Sequence, residues 1–163
     1  PHPSARETTA STAHLRQPAW VHNTELFSKP SSRGGLYLTQ PVCIDRGTPR
    51  AALNQLVEQG GALLKKGRTM VIFPEGTRVP PGERVKFEPG GSLLAVRTDT
   101  PVVPVALNAG EFWPKHSFRK YPGHIKVIIG PVIESKGLKA RELNAKVESW
   151  IHQTMDENFG QGS

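Results

Sequence analysis

Short apolar runs alternate with polar, turn-forming segments along the whole chain. Ala19-Trp20-Val21 is a short strand candidate, and Leu36 to Ile44 is a broken apolar run that reads as a buried strand. Leu53, Leu56, Val57, Leu63 and Leu64 then recur at helical spacing and make one apolar stripe. Thr48 can cap that helix, Pro49 fits its first turn, and Lys65-Lys66-Gly67 closes it with cations at the negative end. Gly60 and Gly61 in its middle weaken it by roughly 1 kcal/mol each. A strand over Thr69 to Phe73 follows, then a long loop from Val79 to Gly91 and a short helix over Ser92 to Arg97. Pro101 to Ala106 reads as a buried strand interrupted by Pro104, which argues for an edge or a bulge. Ile125 to Ile129 is another strand. The last element sets Leu143, Val147, Trp150, Ile151 and Thr154 on one helical face, with charges of both signs opposite.

Strands and helices alternating in this way predict an α/β fold, with a mostly parallel central sheet flanked by helices. At 163 residues the expectation is one domain over residues 1–163, with 159–163 a disordered tail. Composition narrows the function classes. Lys and Arg number 21 against 14 Asp and Glu, so the net charge of +7 favours polyanions: nucleic acid, anionic lipid headgroups or phosphorylated substrates. No RNP-like aromatic motif, zinc finger or long basic helix points to nucleic acid, and the cations are scattered. No apolar run reaches 18 residues, and the first twenty residues carry no signal-peptide pattern. The single Cys43 allows no internal disulfide and reads as a small core residue. None of the six histidines shows metal-ligand spacing, so no metal site is expected.

The chemistry concentrates where the Met70 to Phe73 run stops. Pro74, Glu75, Gly76, Thr77 and Arg78 deliver a carboxylate, a hydroxyl and a guanidinium into a turn at a strand end, the usual place for a site in an open α/β sheet. Arg78 offers a planar fork of donors to a phosphate or carboxylate. Ile44-Asp45-Arg46 likewise carries a charge pair out of a strand, and Arg84 and Lys86 lie in the loop beyond, as ligand-facing or solvated cations. At the start of the chain, His2 and Glu7 are five positions apart, about 140° around an ideal helix, so a turn or bent helix start must lie between them if they meet.

Phe73-Pro74-Glu75-Gly76-Thr77-Arg78 resembles the third motif of the glycerolipid acyltransferases that acylate lysophosphatidic acid. His2, Ser4, Glu7 and Thr8 resemble a form of that family's first motif, with Glu in place of the commoner Asp. Ile44-Asp45-Arg46 resembles the second motif and Val103-Pro104-Val105-Ala106 the fourth, which helps shape the acyl-binding region. Four motifs stand in the family's order over residues 2 to 106, with general resemblance to about residue 134, Asn108 to Trp113 included. Where relatives carry an apolar, aromatic segment, Ser28 to Gly35 is polar here.

The resemblance implies transfer of a fatty acyl group from acyl-CoA or acyl-carrier protein to the sn-2 hydroxyl of lysophosphatidic acid, giving phosphatidic acid. His2 is then the general base and Glu7 its orienting carboxylate. Arg46 and Arg78 clamp the acceptor phosphate, and Glu75, Gly76 and Thr77 complete the acceptor site. No cofactor is implied, and the acyl thioester is a co-substrate. The expected partners are lysophosphatidic acid and a thioester, with peripheral contact at an anionic membrane and none with nucleic acid. The expected location is the cytoplasmic face of the inner (plasma) membrane. The chain starts inside the first motif, so weak or no activity is expected of it as it stands, and more from an N-terminally extended form. The alternatives are a related lysophospholipid or glycerol-3-phosphate acyltransferase, or a non-catalytic lipid- or phosphate-binding domain of the same fold.

Overall fold

The structure is a computed structural model of the chain and describes residues 18–23, 42–44, 48–76, 79, 83–108 and 122–159. The described residues fall into two compact units that divide after Ile72.

In the first unit, strand β1 (Pro18–Asn23) lies between β2 (Val42–Ile44) and β3 (Thr69–Val71), and both pairings are parallel. Val21 stands opposite Val42, and Pro18 opposite Thr69. Proline is tolerated at the first residue of a strand, so the central position of β1 survives Pro18. Parallel strands cannot be joined by a tight hairpin, and helix α1 (Pro49–Lys65) supplies the crossover from β2 past β1 to β3. Both ends of α1 form as its sequence predicts. The Ala51 amide donates to the Thr48 hydroxyl at 3.3 Å, with Pro49 in the first turn. At the other end Gly67 donates to the Leu64 carbonyl at 2.9 Å and Arg68 to Leu63 at 3.2 Å. That pair of bonds is a Schellman closure, and it needs the positive φ of 75° that Gly67 adopts. Leu56 is buried on the stripe, and so are Gly60 and Gly61, which places the two weak helix formers on the packed side of α1.

The second unit contains helix α2 (Gly90–Arg97), strands β4 (Val105–Leu107) and β5 (Val127–Ile129), and helix α3 (Ala140–Phe159). Phe87, Ala95, Leu143 and Val147 form its buried core, with Val96, Val102, Ile133, Leu138 and Ile151 packed around them. The face expected of the last helix is the one that packs: Leu143, Val147 and Thr154 are buried and Trp150 and Ile151 half-buried. Ser135, fully buried, donates its hydroxyl to the Ala95 carbonyl at 3.1 Å and so joins the segment before α3 to α2.

The strand expected over Pro101 to Ala106 is shorter and less buried than its composition suggests. Only Val105 to Leu107 form a strand, antiparallel to β5 with Val105 opposite Ile129. Val102 pairs with Ile133 in a separate bridge, and Pro104, which has no amide to donate, sits where the ladder breaks. Its carbonyl still accepts from the Gly130 amide at 2.9 Å. Pro104 and Ala106 are buried while Val103 and Val105 are 46% and 40% exposed, so one face packs and the other is open. On β5, Val127 and Ile129 share the open face. The strand expected from Ile125 begins only at Val127, and the one expected to reach Phe73 ends at Val71. The described strands and helices together give the expected α/β class.

Leu143 is fully buried, and Leu143→Ala should cost about 3 kcal/mol of unfolding free energy in urea titration. A Cβ at Gly67 would touch nothing within 4 Å, so Gly67→Ala reports backbone conformation alone and should cost about 1 kcal/mol.

Candidate active site

Strand β3 feeds directly into the turn that carries the candidate chemistry. The Gly76 amide donates to the Phe73 carbonyl at 3.3 Å, closing a turn over Phe73, Pro74, Glu75 and Gly76. Gly76 has φ of 65°, a left-handed conformation that costs a residue with a Cβ about 1–2 kcal/mol. A Cβ there would also lie 3.2 Å from Cγ of Glu88. The loop after the motif therefore folds back against the turn, and the Glu88 amide fixes it there with a 2.7 Å bond to the Pro74 carbonyl.

The loop is held in turn by α2 and α3. Phe87 is 3% exposed, sits in the core and meets the His152 ring edge-to-face, with centroids 5.2 Å apart. The Asn144 side-chain amide donates to the Phe87 carbonyl at 3.1 Å, and the Ser92 hydroxyl donates to Asn144 Oδ1 at 3.0 Å. At the surface, Arg84 pairs with Asp156 at 2.5 Å. Both side chains there are more than half exposed, so the pair contributes at most about 1 kcal/mol. Arg84 is thereby engaged with α3, while Lys86 is exposed.

Glu75 lies in this turn. Its Oε2 is buried and has no hydrogen-bond partner among the described residues. Leaving a buried acceptor unsatisfied costs about 1–3 kcal/mol, which folding alone gives no reason to keep. A carboxylate oxygen held that way at a strand end is ready for a donor that arrives with a ligand, such as a hydroxyl.

Of the residues predicted for the site, the structure positions Glu75 and Gly76 in one turn. His2, Glu7, Arg46, Thr77 and Arg78 lie outside the described residues. Sequence reasoning passed over Glu88, Phe87, Asn144 and Ser92, which brace the turn. The one signal available was Phe87, a lone aromatic in a polar loop. Among the described residues, no group of three or more His, Cys, Asp or Glu side chains is placed to hold a metal ion. No helix among them is long and apolar enough to cross a membrane.

Because Oε2 is buried without a partner, Glu75→Met should raise the unfolding free energy by about 1 kcal/mol. Chemical denaturation checks this, and a loss of stability would show that the carboxylate is satisfied in the folded protein.

Residues 7–108 match the family model described as Acyltransferase. A 1-acyl-sn-glycerol-3-phosphate acyltransferase of Pseudomonas aeruginosa is 44% identical over 159 residues, covering 96% of this chain and 62% of that protein. One from Cocos nucifera is 35% identical over 117 residues, covering 71% of this chain and 38% of its own length. The crystal structure of the 1-acyl-sn-glycerophosphate acyltransferase PlsC from Thermotoga maritima superposes with a TM-score of 0.78 at 26% identity, covering 98% of this chain and 64% of PlsC. The chain thus spans less than two thirds of the length of these relatives. With the family model matched over residues 7–108, more than half of the chain's length, the chain belongs to the acyltransferase family.

Proposed function

We infer that the protein transfers a fatty acyl group from an acyl thioester to the sn-2 hydroxyl of lysophosphatidic acid, giving phosphatidic acid. The observation that carries this reading is the Glu75 carboxylate oxygen, buried and without a partner among the described residues, in the turn over Phe73 to Gly76. Support also comes from family membership and from relatives named as 1-acyl-sn-glycerol-3-phosphate acyltransferases.

In this reading the acceptor hydroxyl attacks the thioester carbonyl carbon while His2 takes its proton. An alcohol is a poor nucleophile at neutral pH, and a positioned imidazole is the usual base. The C–S bond then breaks, the ester forms, and the proton passes from the imidazolium to the departing thiolate. Glu7 orients the ring and stabilises its charged form. Arg46 and Arg78 hold the acceptor phosphate, converting an encounter into a fixed geometry. Glu75 accepts a hydrogen bond from the acceptor, and Gly76 and Thr77 complete the acceptor site with it. Direct attack requires no metal or organic cofactor, and either acyl-CoA or acyl-carrier protein can present the thioester.

The substrate is a lipid, so the enzyme works where a bilayer supplies it. We also propose peripheral attachment at the cytoplasmic face of the inner (plasma) membrane. A net charge of +7 favours anionic headgroups, and Val103, Val105, Val127 and Ile129 offer an exposed aliphatic face.

Assays of thiol release with lysophosphatidic acid should show turnover in the wild type and a loss of 100-fold or more, on the order of a general base's contribution, in His2→Ala. Arg78→Ala should raise KM for the acceptor and leave KM for the thioester unchanged. Wild-type activity retained in His2→Ala would overturn the mechanism. Sedimentation with vesicles should show binding to phosphatidylglycerol over phosphatidylcholine, weakening as salt rises. Equal retention by both lipids would remove the electrostatic basis for membrane attachment.

A further inference from the structure

We propose that Asn144 is a positioning residue for Glu75, acting from α3 through one peptide unit of the loop; the proposal rests on the acyltransferase reading of the Glu75 turn. The carbonyl of Phe87 and the amide of Glu88 belong to the same planar peptide. Asn144 Nδ2 donates to that carbonyl at 3.1 Å, and the amide donates to the Pro74 carbonyl at 2.7 Å. The Pro74 carbonyl belongs in turn to the peptide that leads into Glu75. Three hydrogen bonds therefore run in series from Ser92 on α2, through Asn144 on α3 and the Phe87–Glu88 peptide, to the backbone of the catalytic turn.

The orientation of the Asn144 amide follows from its surroundings. A hydroxyl can donate or accept, but the Phe87 carbonyl can only accept, so the nitrogen must face Phe87 and the oxygen Ser92. The two residues that Asn144 bonds are buried, with Ser92 7% and Phe87 3% exposed, so water is a poor substitute for either of these bonds. Bonds in such a series polarise one another, and breaking one loosens the next. The 3.3 Å bond from the Gly76 amide to the Phe73 carbonyl closes the turn, and the Glu88 amide adds the link from the loop. The orientation of Glu75 thus depends on a residue 69 positions away that has no part in the chemistry.

The test is Asn144→Asp in this chain, which keeps the shape and exchanges the donor for a carboxylate oxygen. Amide exchange of Glu88, followed by NMR, should accelerate roughly fivefold or more, the effect of about one lost hydrogen bond. Amides of Leu94 and Val147 should keep their rates, which a general loss of structure would not allow. With an acyl thioester and lysophosphatidic acid, kcat/KM for the acceptor should fall by a similar factor, with KM for the thioester unchanged. Ser92→Ala should show the same pattern more weakly, and it decides the matter if Asn144→Asp does not fold. Unchanged Glu88 exchange in a folded variant would overturn the proposal. So would exchange accelerated uniformly through α2 and α3. Absence of lysophosphatidic acid turnover in the wild type would overturn the functional reading instead, and Glu88 exchange would still decide the coupling.

Discussion

The hydrogen bond between the Glu88 amide and the Pro74 carbonyl, 2.7 Å long, ties the candidate site to the rest of its unit. Without it the turn after β3 would lose its backbone link to the loop that Phe87 anchors. The bond forms because Phe87, the neighbour of Glu88, is anchored among Ala95, Leu143 and Val147. Core burial of one aromatic ring is worth a few kcal/mol, more than any surface contact the loop makes. Apolar packing on α2 and α3 is thus converted into the placement of a polar group.

An unsatisfied carboxylate oxygen is tolerable only in a frame that cannot relax around it. Leu143 supplies rigidity below the loop, and the Arg84–Asp156 pair adds little at the surface. Gly76 has to be glycine on two counts, its positive φ and the closeness of Glu88 Cγ. Gly76 therefore meets a backbone requirement within a hexapeptide that also carries functional groups. Proline lies beyond the strand end at Val71, glycine reverses the chain, and the carboxylate between them has one oxygen buried.

Much of this was legible in the residues because it is local. Thr48, Pro49 and Gly67 mark the ends of α1 through capping and positive φ, and the structure uses all three. The stripe of Leu143, Val147 and Thr154 has helical period and packs as read. The apolar run around Pro104 misled, because branched aliphatics look the same on a buried strand and on a half-open ribbon. Their exposure depends on which partner the strand finds, here β5 and α3, and that is a tertiary matter. The same reason hides the brace on Glu75. Nothing in the spacing of Asn144, Phe87 and Pro74 announces that they meet, since the bonds pass through main-chain groups that every residue carries. Glu75 and Gly76 were legible as a pair, while the burial of Oε2 was not.

The most direct test of this account is a structure of the protein with lysophosphatidic acid bound. The prediction is a polar group of the glycerol unit within about 3 Å of Glu75 Oε2, with the turn otherwise unchanged. Lysophosphatidic acid bound elsewhere, with Glu75 Oε2 still unpartnered, would contradict it.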